Sequence, residues 1–186
     1  MPTYTIFAGV NGAGKTSIYK SIYYNENKNE KRINTDEMVS RIGSWKDNNL
    51  QIKCAREAVR LIKRYIEENI SFNQETTLCG NSIIKNLKSA KEKGFYVVMN
   101  YIGVENSEIA KERVKIRVSK GDHGIADTDI ERRYYESLNN LKRILDICDE
   151  INIYDNSERF REIINIEEGK VIWKAESIPS WAKVIL

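Results

Sequence analysis

The sequence predicts an α/β fold: three layers around a central, mainly parallel sheet, with a helical lid and a C-terminal β-hairpin. Three observations carry this reading. Short apolar segments alternate with amphipathic helical ones along most of the chain. A glycine-rich turn, Gly9-Val10-Asn11-Gly12-Ala13-Gly14-Lys15-Thr16, joins the first strand to the first helix. Two β-rich runs flank Glu168-Gly169 as the arms of a hairpin. The 186 residues are 41% hydrophobic and 31% charged with two prolines, which excludes a disordered or collagen-like chain. No repeat or linker divides the sequence, so residues 1–186 read as one domain with a lid over about 105–135.

The elements follow in order. Thr3 to Ala8 is β-rich and stops at Gly9, as a strand entering a turn does. Ser17 to Tyr24 reads as a helix and Asn25 to Lys31 as a polar loop. Arg32 to Asn34 predicts a very short strand, with a helix opening near Asp36. From Leu50 to Glu68, Ala55, Ala58, Val59, Ile62, Tyr65 and Ile66 recur at the helical period. Lys53, Arg56, Arg60, Lys63 and Arg64 decorate the solvated remainder. Ser71 to Thr77 predicts a strand running into a loop, and Ser82 to Lys93 a helix stopped by Gly94. Phe95 to Tyr101 is nearly all apolar, as in a strand at the middle of a parallel sheet. Ser107 to Ser119 and Asp129 to Cys148 predict helices around a break at Lys120 to Gly124. The second of them turns Ile130, Tyr134, Leu138, Leu141 and Leu145 inward. Glu150 to Tyr154 predicts another strand, and Phe160 to Ala175 the hairpin that extends one edge antiparallel.

Composition narrows the function classes. No apolar run approaches the ~20 residues of a membrane-spanning helix, and the N-terminus lacks a basic leader. Cys54, Cys79 and Cys148 are odd in number and form no CxxC, which fits reduced thiols in a cytoplasm. One histidine and scattered cysteines argue against structural zinc. A net charge of +3 does not advertise a nucleic-acid groove.

The turn from Gly9 to Thr16 matches G-x-x-x-x-G-K-[ST] in full, between strand and helix. Its backbone N–H groups curl around a phosphate, and the helix start adds its positive end. Gly9, Asn11, Gly12, Ala13, Gly14, Lys15, Thr16 and Ser17 are the candidate ATP-binding residues. Lys15, at a solvent-facing helix start, reaches the outer phosphates, and the Thr16 hydroxyl is the candidate Mg²⁺ ligand. A glycine-rich turn with no ligand is the bland alternative.

A GTPase would show a base-reading N/T-K-x-D, and a motor-type ATPase an apolar strand ending in an acid. Neither is present. A small-molecule kinase needs an acid to accept a hydroxyl proton and arginines to cover the transferring group. Asp36 follows the second predicted strand, whose carboxyl end opens onto the same crevice as the phosphate loop. It is a candidate base, or a helix N-cap. Arg113 and Arg117 precede the break at Gly121 to Gly124, and Arg132 and Arg133 follow it. That is a lid pattern, with surface charge as the alternative. His123 reads as an exposed loop histidine.

The ordered set AGVNGAGKTS, INTDE, FNQETTLCG, RVSKGDHGI with IERRYYESLNNL, and IYDNS resembles the zeta toxin family of bacterial toxin–antitoxin modules. The likeness spans Thr3 to about Asn156. It implies a P-loop kinase that uses ATP and Mg²⁺ to phosphorylate a hydroxyl of UDP-N-acetylglucosamine, with an antitoxin protein as partner. Carried over by motif, Asp36 is the general base, and Glu75, Thr76 and Thr77 contact the acceptor. Lys15, Arg117 and Arg133 stabilise the phosphates. The chain departs from the pattern at Val10, where proline is usual, and at Gly121-Asp122-His123, where Gly-Gly-His is usual. The competing readings are an ATP-binding regulatory module that hydrolyses slowly and acts through a protein partner, and a nucleoside or nucleic-acid kinase.

Overall fold

The computed structural model describes residues 1–186 and contains a seven-stranded sheet of order β2-β3-β1-β4-β5-β6-β7. Strands β1 (Thr3–Ala8), β2 (Lys31–Ile33), β3 (Phe72–Thr76), β4 (Tyr96–Gly103) and β5 (Glu150–Asp155) are mutually parallel. The predicted hairpin, β6 (Arg161–Glu167) and β7 (Lys170–Lys174), extends the β5 edge antiparallel. Its turn works because Glu168 and Gly169 both take positive φ, the conformation that matches hairpin twist. Strand β4, the most apolar, lies fourth of the seven.

Six α-helices connect the strands: α1 (Lys15–Ile18), α2 (Thr35–Ile42), α3 (Asn48–Glu67), α4 (Ser82–Glu92), α5 (Ser107–Ser119) and α6 (Asp127–Arg143). The larger core lies where α3, α4 and the end of α6 cover one sheet face. Ile62, Leu87 and Leu141 meet Tyr4, Ile6, Met99 and Ile151 there. A smaller cluster of Val10, Ala13, Ile102, Val114, Ile130 and Tyr134 sits under the phosphate loop and joins it to α5 and α6. On the opposite pleat of β1, Phe7 packs edge-on against Tyr19 and Tyr23 at centroid distances of 5.4 and 5.2 Å. The fold is therefore three-layered, and no helix is long and apolar enough to cross a membrane.

Several local expectations are corrected. The first helix is α-helical only from Lys15 to Ile18 and continues as a π-helical turn, Tyr19–Tyr23, which sets Tyr19 and Tyr23 against Phe7 and Tyr19 under Arg32. In α3, Ala55 and Val59 face solvent, while Cys54 joins Ala58, Ile62 and Ile66 in the buried stripe. That stripe is narrower than the sequence suggested because only one flank of the helix meets the sheet. Helix α6 starts two residues earlier than expected and stops at Arg143, so Leu145 lies beyond it. After the hairpin, a 3-10 helix, Ser180–Ile185, places Trp181 against Gly103 at the end of β4. A Cβ at Gly103 would meet that ring at 2.2 Å. The three cysteines are free thiols.

Candidate active site

The crevice opens at the carboxyl ends of β1 and its neighbours, where the chain order reverses direction. The phosphate loop lies at its floor. Gly9 (φ 142) crosses so close to β4 that a Cβ would sit 2.1 Å from the Ile102 carbonyl oxygen, so no other residue fits. Gly14 caps α1 in the left-handed region with φ 102. Ala13 N donates to the Val10 carbonyl at 3.1 Å, and Asn156 Nδ2 donates to the Ala13 carbonyl at 2.8 Å. Asn156 comes from the loop after β5, and sequence reasoning saw it only as part of IYDNS. The loop is thus shaped by backbone and braced from a distance.

Lys15 is buried, contrary to the solvent-facing expectation: it is 8% exposed, and Nζ donates to the Val10 carbonyl at 3.1 Å. Burial pulls its ammonium below the usual lysine range, opposed by Glu75 and Asp36. The Thr16 hydroxyl lies 2.8 and 3.0 Å from the two oxygens of Glu75. Glu75, at 10% side-chain exposure, also accepts from Arg32 Nη2 at 2.7 Å and Asn34 Nδ2 at 2.9 Å. It stands behind Thr16 and faces the phosphate loop. Thr76 accepts from Leu78 N, and the Thr77 carbonyl accepts from the Cys79 thiol, so the wall of the cleft is built by other residues. Ser17 is exposed beside the loop. The oxygen set at Thr16, with a carboxylate in contact, suits a hard divalent cation such as Mg²⁺.

The cap at the start of α2 is Asn34. Its Oδ1 accepts from Asp36 N at 2.9 Å and Glu37 N at 3.3 Å, while its Nδ2 reaches Glu75. Asp36 is therefore not the cap, and its carboxylate is free to face the cleft. Burial raises its pKa above the ordinary carboxylate range, offset in part by His123, Lys15 and Arg117. A carboxylate shifted in that direction is a stronger base.

The cleft measures about 1120 Å³ and runs from Asn11 and Thr16 past Asp36 to Trp45 and the α5–α6 loop. Arg133 Nη1 donates to Asn11 Oδ1 at 2.9 Å, directly over the phosphate loop. Arg117 Nε pairs with Asp122 Oδ2 at 3.0 Å, and its Nη2 is buried without any hydrogen-bond partner. A half-exposed guanidinium with a covered, unbonded Nη2 beside a phosphate loop is a ready anion contact. The other two arginines point away. Arg113 donates to the Ser157 carbonyl, and Arg132 pairs with Asp129 and Glu136 on the outer face of α6.

His123 corrects the expectation of an exposed loop residue. Its side chain is only 10% exposed and its ring stacks on Trp45 at 3.8 Å and 14°. Nδ1 lies 2.8 Å from Asp122 Oδ1, and Nε2 lies 3.7 Å from Asp36 Oδ2. Trp45 carried no usable signal, and His123 only its place in the lid motif Gly121-Asp122-His123, because their contact joins segments far apart in the chain.

A family model described as ABC transporter matches residues 3–127, from the first strand into the start of α6. The chain belongs to this family. The matched stretch holds the P-loop module, and its strand β4 ends in Tyr101-Ile102-Gly103 without the acid of a motor-type ATPase. An uncharacterised protein of Haemophilus influenzae is 38% identical over 128 residues, covering 69% of this chain and 89% of that protein. Among solved structures, a chain of the AvrRxo1-ORF1:-ORF2 complex with ATP superimposes with a TM-score of 0.74 at 15% identity. It covers 99% of this chain, which spans only 62% of that one. A chain of the PezAT chromosomal toxin–antitoxin system of Streptococcus pneumoniae gives 0.66 at 17% identity, covering 97% of this chain and 75% of its own. At these identities the likeness establishes a shared P-loop fold.

Proposed function

We propose that the protein is an ATP-dependent kinase that transfers the γ-phosphoryl group to a hydroxyl of a small acceptor. The sugar-nucleotide class, with UDP-N-acetylglucosamine as its representative, follows from the resemblance to zeta toxins. The observation that carries the proposal is the placement of Asp36, freed from capping by Asn34, across the cleft from a complete phosphate loop and from Arg117, whose Nη2 has no hydrogen-bond partner. Asp36 accepts the acceptor's hydroxyl proton as the oxygen attacks the γ-phosphorus. Lys15, Arg117 and Arg133 hold the transferring group and the bridging oxygen that leaves. Thr16 would hold Mg²⁺, oriented by Glu75, and the ion would neutralise phosphate charge as it develops. Thr76 and Thr77, with Glu75, border the acceptor side in the resemblance. Chains of the same fold from a two-protein complex with ATP and from a toxin–antitoxin system support ATP as donor and an antitoxin protein as partner.

The test is ATP consumption by the purified chain with and without a panel of nucleotide sugars and nucleosides, read with the mass of the acceptor. A gain of one phosphoryl group on an acceptor, with turnover only in its presence, is expected. Acceptor-independent turnover, or none, would instead favour an ATP-binding regulatory module.

A further inference from the structure

We infer that His123, held between Asp122 and Trp45, is the positioning residue for Asp36 and takes over the proton that Asp36 receives. This rests on the proposed role of Asp36 as base. Loop histidines beside glycines are ordinarily solvated, yet here Gly121 and Gly124 are exposed while the imidazole between them is nearly covered. Three contacts fix it. The indole of Trp45 covers one ring face. Asp122 Oδ1 accepts from the His123 backbone N at 2.8 Å and lies 2.8 Å from Nδ1. Trp45 is itself tied back, because its carbonyl accepts from Gln51.

This arrangement decides the ring's chemistry. A carboxylate against Nδ1 keeps a proton on that nitrogen, so in the neutral ring Nε2 is the basic atom. Nε2 faces Asp36 Oδ2 at 3.7 Å. That gap suits two acceptors held close without a shared proton. When Asp36 takes the hydroxyl proton, its new O–H can donate to Nε2. The imidazolium so formed is balanced by Asp122 and releases the proton to water, which returns Asp36 to its ionised form. Arg117, paired with Asp122, lies in the last turn of α5, just before the loop of His123. The Arg117–Asp122 pair therefore ties the phosphate contact to the base's partner.

The charged groups around Asp36 are His123 and Arg117 from the lid, Lys15 from α1, Glu75 from β3 and Glu37 on its own helix. Of these, His123, once its ring is protonated at low pH, exerts the largest pull toward the ionised form. Replacing it by glutamine should move the acid limb of kcat/KM for UDP-N-acetylglucosamine, the probe acceptor, to higher pH. The same His123→Gln change should lower kcat by roughly 10-fold or more and leave KM for ATP unchanged. A wild-type kcat and acid limb in folded His123→Gln protein would overturn the proposal. An acceptor-free arm uses Trp45 emission, taken as the difference between wild type and Trp45→Phe. Protonation of a stacked imidazole quenches an indole, so emission should step with pH in the wild type and lose that step in His123→Gln. In Asp36→Asn the step should move to lower pH, since a facing carboxylate favours the imidazolium. A step that stays in place would separate the two side chains and sink the proposal. If the wild type phosphorylates nothing while the Asp36→Asn shift is seen, the kinase reading falls and the Asp36–His123 contact stands.

Discussion

Within the phosphate loop the backbone carries the geometry: Gly9, Gly12 and Gly14 take positive φ, and neighbouring carbonyls leave no room for a side chain at the first two. Across the same cleft, side chains carry it. Asp36, Trp45, Arg117 and His123 come from three separated segments and meet through stacking and ion pairs. The first arrangement needs only a stretch of eight residues and a strand to lean on. The second exists only when α2, the α2–α3 loop and the lid are packed together. A kinase benefits from the difference, because a preformed phosphate cradle binds the donor while a movable acceptor side admits substrate and then excludes water.

The sharpest way to break this comparison is at Lys15. Lys15→Met keeps the buried stem but deletes the ammonium, so phosphoryl transfer should fall by ~10³-fold or more. Circular dichroism and thermal unfolding should show a folded protein. Near-normal transfer would show that the preformed side does not hold the phosphates.

The next largest effect belongs to Asp36→Asn, at ~10²–10⁴-fold in kcat with little change in ATP affinity. The cap is untouched, because Asn34 supplies it. The raised pKa adds a sign. A carboxyl that holds its proton more tightly in the folded state costs stability as pH rises from its ordinary value through its raised one. Because the Asp36 side chain is about half exposed, this effect is small: Asp36→Asn should match or slightly exceed the heat stability of wild type at neutral pH, and a clearly lower Tm there would contradict the raised pKa.

Arg133→Ala and Arg132→Ala test the acceptor side's geometry with adjacent residues. Arg133 should cost roughly 10²-fold in kcat, whereas Arg132, on the outer face of α6, should change rate and stability little. Equal effects in steady-state assays would undo the distinction. The smallest effect is Asn34→Ala, which removes the α2 cap at about 1 kcal/mol of stability and is read from denaturant unfolding. Its signature is a fall in kcat as α2 and Asp36 lose their placement, with a smaller rise in KM for ATP because Asn34 also holds Glu75 behind Thr16.

Much of this was legible beforehand where the information is local. The phosphate loop, the strand–helix alternation, the helix stop at Gly94 and the hairpin at Glu168-Gly169 each rest on a few residues whose backbone preferences are strong. The helical period also placed most of the inward face of α3, yet it miscast Val59, because a period shows which residues share a face but not how wide the partner surface is. The burial of Lys15 runs against expectation for a related reason: a helix start looks exposed until its side chain folds back onto the Val10 carbonyl of the phosphate loop.

The sequence by itself determined the cradle, the sheet and the presence of an acid and arginines in the right order, since each is set by torsional and hydrophobic preferences within a few residues. Only the tertiary structure decided that Asn34 caps α2, that Glu75 faces Thr16, that Arg133 and not Arg132 covers Asn11, and that His123 lies buried between Trp45, Asp122 and Asp36. Those contacts depend on the relative placement of elements far apart in the chain. An imidazole, a carboxylate or a guanidinium has no preference of its own until packing gives it a partner.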